Sequence, residues 1–280
     1  MADSSIEWTD KVWNPTRGCS RISPGCGGAK GEGGCYAERQ AARFSGPGQP
    51  YEGLVRIGKQ GPRWTGVVRL ARNKLEEPLR WRKPKRIFVN SMSDLFHENL
   101  SDHDIANVFS VMESARSRGH TFQILTKRAD RMQRWVSDWA SKIDYAAGPG
   151  EYARRYSHVW LGVSAENQDY ADERISRLLT TPASVRFVSY EPALGSMSLW
   201  AFLRGEHRDA SLAALGTRPM PGLDWVIVGG ESGPGARAFD IQWMRDVVAQ
   251  CRVAGVAVFC KQHVTEWPSG DWPREFPVTA

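Results

Sequence analysis

Cys19, Cys26 and Cys35 fall within seventeen residues, separated by six and by eight others. Thiolates are soft ligands that suit iron–sulfur clusters and zinc. The residues from Gly25 to Gly34 are mostly glycine, with Lys30 and Glu32 among them, and glycine lets a backbone wrap closely around a bound group. Structural zinc sites usually pair cysteines as C-x₂-C. No such pair occurs here, so the spacing favours a cluster over zinc completed by His or Asp. A [4Fe–4S] cluster fully held by protein takes four thiolates. Three would leave one iron open to a small molecule.

The remaining cysteines, Cys251 and Cys260, stand far away and read as core thiols. An odd number of cysteines, clustered in a chain of 280 residues, argues against a secreted disulfide framework. The six histidines, His97, His103, His120, His158, His207 and His263, show no metal-ligand spacing and read as surface or helix-end residues. There is no local Ser-His-Asp or Cys-His signature, and no G-x-G-x-x-G or Walker loop.

The elements that position these residues follow from the apolar pattern. Short runs at 67–70, 87–90, 122–126, 159–163, 185–189, 225–228 and 256–260 lack polar alternation, as expected of parallel strands covered on both faces. Helical spacing occupies 101–118, with Ser101 as N-cap, and also 171–179 and 241–254. Strand and helix in alternation predict an α/β fold with a parallel sheet and right-handed crossovers. A full or partial (β/α) barrel is the first expectation, and an open doubly wound sheet the alternative. Gly- and Pro-rich stretches near 45–62, 146–157 and 204–222 read as loop insertions in one domain spanning 1–280.

Nearly every predicted strand runs into polar residues at its C-terminal end. These are Ser91, Ser93 and Asp94; Thr126, Lys127 and Arg128; Ser164, Glu166 and Asn167; Tyr190 and Glu191; Glu231 and Ser232; and Lys261, Gln262 and His263. That rim is where parallel α/β folds bind ligands. Capping of the following helices is the competing use of the same residues.

The net charge of +6 is unevenly spread. Between Arg56 and Arg86 eleven basic residues face two acidic ones, Glu76 and Glu77, a local +9. Such a concentration suits a polyanion, or else forms a solvated face. Trp64 and Trp81 within it could stack on bases. Residues 1–10 have neither the basic start nor the apolar core of a signal peptide, and no stretch approaches a membrane span. A cytoplasmic location is expected.

The cysteine segment and six further segments at strand exits together resemble a known family. Asn14-Pro15-Thr16-Arg17-Gly18-Cys19 through Cys35-Tyr36-Ala37-Glu38 is similar to the cluster motif of the radical S-adenosylmethionine (SAM) branch related to spore photoproduct lyase. More specifically, it resembles the three-cysteine-motif phage and prophage proteins of unknown function. The likeness continues through Val89–His97, Leu125–Arg128, Leu161–Gln168, Ser189–Pro192, Gly229–Pro234 and Phe259–Gln262. Two departures stand out. The family's cysteine loop ends Cys-x₂-Cys-Tyr-Ala, whereas eight residues separate Cys26 from Cys35 here, with residues 28–33 resembling an insertion. The Gly-Gly-Glu of many radical SAM enzymes follows the second strand, whereas Gly229-Gly230-Glu231 comes late; Ser91 and Asp94 occupy the second exit.

The resemblance implies a radical SAM barrel with two cofactors, a [4Fe–4S] cluster on Cys19, Cys26 and Cys35 and S-adenosylmethionine. It implies adenine packing by Tyr36, and SAM contacts by Ser91, Asp94, Lys127 and Ser164, with Lys127 meeting the carboxylate and Asp94 the ammonium. Glu191, Glu231, Lys261 and Gln262 would face the substrate as catalytic residues; pairing of Lys127 with Glu191, and strand capping by Gln262, are the competing roles. An electron donor is needed as partner. A nucleic-acid base or nucleotide is the expected substrate, and a peptide the other possibility. The alternative to an enzyme is a non-catalytic zinc- or cluster-stabilised nucleic-acid-binding phage protein.

Overall fold

The computed structural model describes residues 6–27, 34–203, 221–233, 235–261 and 273–278. Chain order gives β1 (Lys11–Trp13), β2 (Thr16–Arg17), α1 (Tyr36–Ala42), β3 (Val55–Gly58), β4 (Gly61–Trp64), β5 (Arg69–Leu70), α2 (Arg72–Leu75) and β6 (Arg86–Val89). Then follow α3 (Asp102–Ser114), β7 (Thr121–Thr126), α4 (Ala129–Ala147), α5 (Glu151–Arg155), β8 (Val159–Ser164) and α6 (Gln168–Leu179). The described part ends with β9 (Val185–Tyr190), β10 (Trp225–Val228), α7 (Ile241–Ala254) and β11 (Ala257–Cys260).

Seven strands form one sheet in the order β1-β6-β7-β8-β9-β10-β11, with every neighbouring pair parallel. The order never reverses. A doubly wound sheet needs a reversal to create its switch point; strict succession is the barrel pattern. No ladder joins β1 to β11 among the described residues, so the sheet is an open half-barrel with helices on its outer face.

Alternation along each strand sorts the side chains onto two faces. Ile87 and Val89, Phe122 and Ile124, Leu161 and Val163, Val226 and Val228 join α3, α4, α6 and α7 in one apolar core. The residues between them, Phe88, Trp160, Phe187, Trp225, Ile227 and Phe259, form a second core with Trp8 on the helix-free, inner face. Trp225 is its hub, with ring centroids 6.1 Å from Trp8, 5.5 Å from Phe187 and 5.3 Å from Phe276. Gly162 is what admits Phe187: a Cβ there would lie 2.4 Å from that ring. Both cores explain why β8 and β9 are buried at every position.

Residues 273–278 lie along the free side of β11. Cys260 donates its N–H to the Pro273 carbonyl at 2.9 Å, and Glu275 donates to Val258 at 3.0 Å. Phe276 then reaches the inner core, with the Arg86 guanidinium 3.9 Å above its ring.

The caps are those the residue types demand. Ser101 accepts from the Asp104 N–H, Asn167 from Tyr170 and Asp240 from Gln242. The helix expected over 101–118 stops at Ser114 and continues as a 3₁₀ turn, Arg116–Arg118.

Four expectations need correction. The run 67–70 is not a barrel strand: only Arg69–Leu70 forms a strand, and it pairs antiparallel with Thr16–Arg17, while Val68 and Leu70 lie partly buried against the main core. The first parallel strand is instead β1, too short to stand out. The stretch 45–62 holds most of a hairpin, β3–β4, and 146–157 holds α5, so neither is loop throughout. His97 and His120 are buried, not surface residues. Residues 204–220 lie outside the described part.

Candidate functional site

The thiol loop leaves β1, so it occupies the first strand-to-helix connection at the C-terminal end of the half-barrel. Gly18, Cys19 and Ser20 run beside the exit of β6, where Gly18 bridges Ser93 and the Thr16 and Ser93 hydroxyls hydrogen bond at 2.6 Å. Gly18 has φ +90°, and a Cβ would strike the Val67 carbonyl at 2.1 Å, so glycine is obligatory there. Pro24–Cys26 forms a 3₁₀ turn, and Cys35 is the N-cap residue of α1.

Three strand exits grip this loop. From β7, Arg128 donates to the Ser20 carbonyl at 3.3 Å and its Oγ at 2.8 Å, and points one N–H at Cys19 Sγ, 3.8 Å away. From β8, the fully buried Glu166 accepts the Ser23 hydroxyl, and Gly25 packs against the same carboxylate with no room for a Cβ. From β10, Glu231 accepts the Gly34 N–H at 3.3 Å. Within the loop, Arg21 clamps Glu38 of α1, with three contacts of 2.6–3.1 Å. Glu38 is buried and also accepts the Trp64 N–H at 3.0 Å.

Burial dominates the electrostatics of Cys19 and Cys35. Burial pushes the Cys19 thiol up to about 12; the charge of Asp94 adds to this, Arg128 opposes it, and Cys35 and Cys26 add smaller effects. Burial also raises Cys35, and hydrogen bonds from backbone N–H groups at the start of α1 oppose it. Cys19 and Cys35 pack against one apolar cluster with Ala41, Leu54 and Trp64. Among the described residues no group of three His, Cys, Asp or Glu could hold a metal ion. Tetrahedral zinc draws thiolates in to bonds of about 2.3 Å. A four-iron cubane takes each thiolate on a different iron and so accepts a wider triangle. The three cysteines on a clamped loop match that donor set in kind, while among the described residues their side chains are not gathered as a metal-holding group.

The other expected residues divide into two groups. Strand alternation puts Lys127, Ser164, Glu191 and Lys261 at the top of the inner face, and they come together. Lys127 Nζ donates to Ser164 Oγ at 2.6 Å and lies 3.9 Å from Glu166. Ser164 Oγ also donates to the Glu191 carbonyl, and Lys261 ion-pairs with Glu191. Glu191 therefore pairs with Lys261, not with Lys127. Tyr36 is half exposed on α1.

The second group is structural. Asp94 accepts from Phe96 N, Thr126 Oγ1, Lys127 N and Arg128 at 2.7–3.2 Å, which fills the four acceptor sites of a carboxylate and leaves none for an ammonium ligand. Ser91 bonds Asn14. Glu231 takes a bidentate pair from Arg237; burial works to raise its carboxyl, but those hydrogen bonds hold it below the usual range. Gln262 and residues 28–33 lie outside the described part.

Arg21 and Arg174 belong to the site but were not singled out from sequence, and Glu38 and Arg128 were named there without a role. Arg174 carried a signal: it interrupts the apolar stripe Ala171, Ile175, Leu178 of α6, and it is buried with its guanidinium 3.0 Å from Glu166.

Residues 3–274 match the family described as Protein of unknown function (DUF5131). The chain belongs to the DUF5131 family. No curated protein and no solved structure matches it. DUF5131 membership thus covers both the thiol loop and the whole half-barrel, and the chemistry has to be argued from the site. Among the described residues no helix is long and apolar enough to cross a membrane.

Proposed function

We propose that this protein is a radical SAM-type enzyme that modifies or repairs a nucleic-acid base or nucleotide. One observation carries the reading: the loop bearing Cys19, Cys26 and Cys35 is tied to the exits of β7, β8 and β10, over the mouth of a parallel half-barrel. Cys19, Cys26 and Cys35 are the residues that would hold a [4Fe–4S] cluster. When bound, such a cluster would supply the one-electron reduction, fed by a donor protein, that cleaves S-adenosylmethionine for hydrogen abstraction from the substrate.

The chain's own residues do the rest. Lys127, the cation at the mouth beside Ser164, binds the SAM carboxylate. Tyr36, exposed one residue beyond Cys35, packs on adenine. Glu191 and Lys261 face the substrate as a pair able to hold or pass a proton at the Glu191 carboxylate. Asp94, Arg128 and Glu166 hold the loop, and the aromatic inner core below excludes water from the floor.

The test is cleavage of SAM by anaerobically reconstituted, reduced protein. Broad absorption of the reconstituted protein near ~400 nm, and formation of 5′-deoxyadenosine on adding SAM, are expected. The Cys35→Ala variant should lose iron and product while keeping the melting temperature of iron-free wild type. Wild-type protein carrying a full complement of iron but giving no product ends the enzymatic reading.

A further inference from the structure

We propose that the hairpin β3–β4, with the adjoining β2–β5 ladder, is the docking surface for a single-stranded nucleic acid. The inference rests on a nucleic-acid substrate for the site above, and adds where the strand is held.

The register puts like charges opposite one another. Arg56 pairs with Arg63 across the hairpin, and Arg17 with Arg69 across the short ladder. Like charges in directly opposed positions destabilise a two-stranded ladder, so both ladders gain when a polyanion lies on them. The two are contiguous: Arg69 lies beside Gly53 at the hairpin root, and Arg17 sits 5.8 Å from the Tyr51 ring, which packs on Trp64.

Little neutralises this surface from within. Arg56, Lys59, Arg69 and Arg72 are exposed, and no ion pair reaches them among the described residues. Glu38 lies 4.0 Å from Arg63, but its oxygens are taken by Arg21 and the Trp64 N–H. Glu52, the one acidic residue between Arg39 and Arg72, accepts the Gly48 N–H at 2.7 Å.

Apolar side chains are interleaved with the cations. Ile57 is 74 % exposed, Phe44 50 % and Val67 44 %, and all three belong to the segment around the hairpin. Phosphates on the cations and an unstacked base on an exposed aromatic ring, here Phe44, is the chemistry of single-strand binding. A base must also leave its stack to enter a concave site. The position suits that passage: β3 and β4 pack on α1, which begins just after Cys35, so the surface borders the thiol loop.

Fluorescence anisotropy with the full chain and a labelled ~20-nucleotide single-stranded DNA tests this. Wild type should bind, more weakly as salt rises. The double variant R56Q/K59Q should weaken binding about tenfold near ~0.1 M salt and flatten the log–log salt slope by about 1.4, two phosphates' worth. R69Q, on the other ladder, should act in the same direction, and it decides the matter where the double variant melts early. Unchanged affinity and slope, no wild-type binding at about 0.05 M salt, or tighter binding to the matched duplex would each overturn the proposal. SAM cleavage by wild type needs no nucleic acid. Cleavage with unaltered binding in both variants removes the docking surface alone, whereas lost binding in a protein unable to cleave SAM removes the enzymatic reading alone.

Discussion

Arg128 ion-pairs with Asp94 at 3.1 Å while directing a second contact of the same guanidinium nitrogen toward Cys19 Sγ at 3.8 Å. Both side chains of the ion pair are almost wholly buried. Replacing Arg128 with Met strands the Asp94 charge, and breaking one partner of a buried pair costs about 3–5 kcal/mol. Urea unfolding should show that loss. Arg128→Lys keeps the charge but loses the fork, so it should fall between wild type and Arg128→Met. Equal stability of all three proteins would show the pair to be dispensable.

Glu98 links this network to pH. Burial works to raise its carboxyl, but the hydrogen bond from Arg128 wins and holds it at about 2, against an ordinary 4.5. A depressed carboxyl contributes stability that is complete above its unfolded value and lost as pH falls. The loss should therefore run from about pH 4.5 down to about 2. Glu98 is 56 % exposed, so solvent screening limits the contribution to under about 1 kcal/mol. Melting temperatures of wild type and Glu98→Gln across this range should converge at the acid end.

The Cys19 thiol offers a chemical readout. Raised to about 12 by burial, it stays protonated at neutral pH, and the thiolate is the reactive form. In iron-free protein, iodoacetamide should label it far more slowly at pH 8 than it labels glutathione. Tryptic mass spectrometry gives the site-resolved rate. Prompt labelling would place Cys19 in solvent.

Gly162 bears on the inner core. Alanine there would drive a methyl group into the Phe187 ring, and overpacking of this kind costs about 1–3 kcal/mol. Gly162→Ala should melt early, and adding Phe187→Leu should recover part of the loss. Additive rather than compensating losses would show that the two positions do not meet.

The sequence made the inner framework of the fold readable where burial is two-sided: 159–163 and 225–228 are apolar throughout, and 185–189 is so but for Arg186 and Ser189, because helices cover one face and aromatic rings the other. It did not mark β1, three residues long, nor α4, although Met132, Trp135, Val136 and Ala140 repeat at helical spacing. Strand-exit polarity located the inner-face group Lys127, Ser164, Glu191 and Lys261 directly. The roles of Asp94 and Glu231 were not legible, since a carboxylate at a strand exit looks the same whether it meets a ligand or is saturated by Arg128 or Arg237. Nor could spacing reveal the charge partners of the loop, because Arg21–Glu38 and Ser23–Glu166 join positions 17 and 143 residues apart.

An open sheet, unlike a closed barrel, has two outer strands with unused hydrogen-bonding groups, and such margins recruit other chains into aggregates. Along β11 residues 273–278 occupy those groups, with Arg274 bridged to Phe259. This segment therefore acts as a solubility device as well as a packing element, and variants truncated before Pro273 should be recovered as aggregates even where the helices and the thiol loop are untouched.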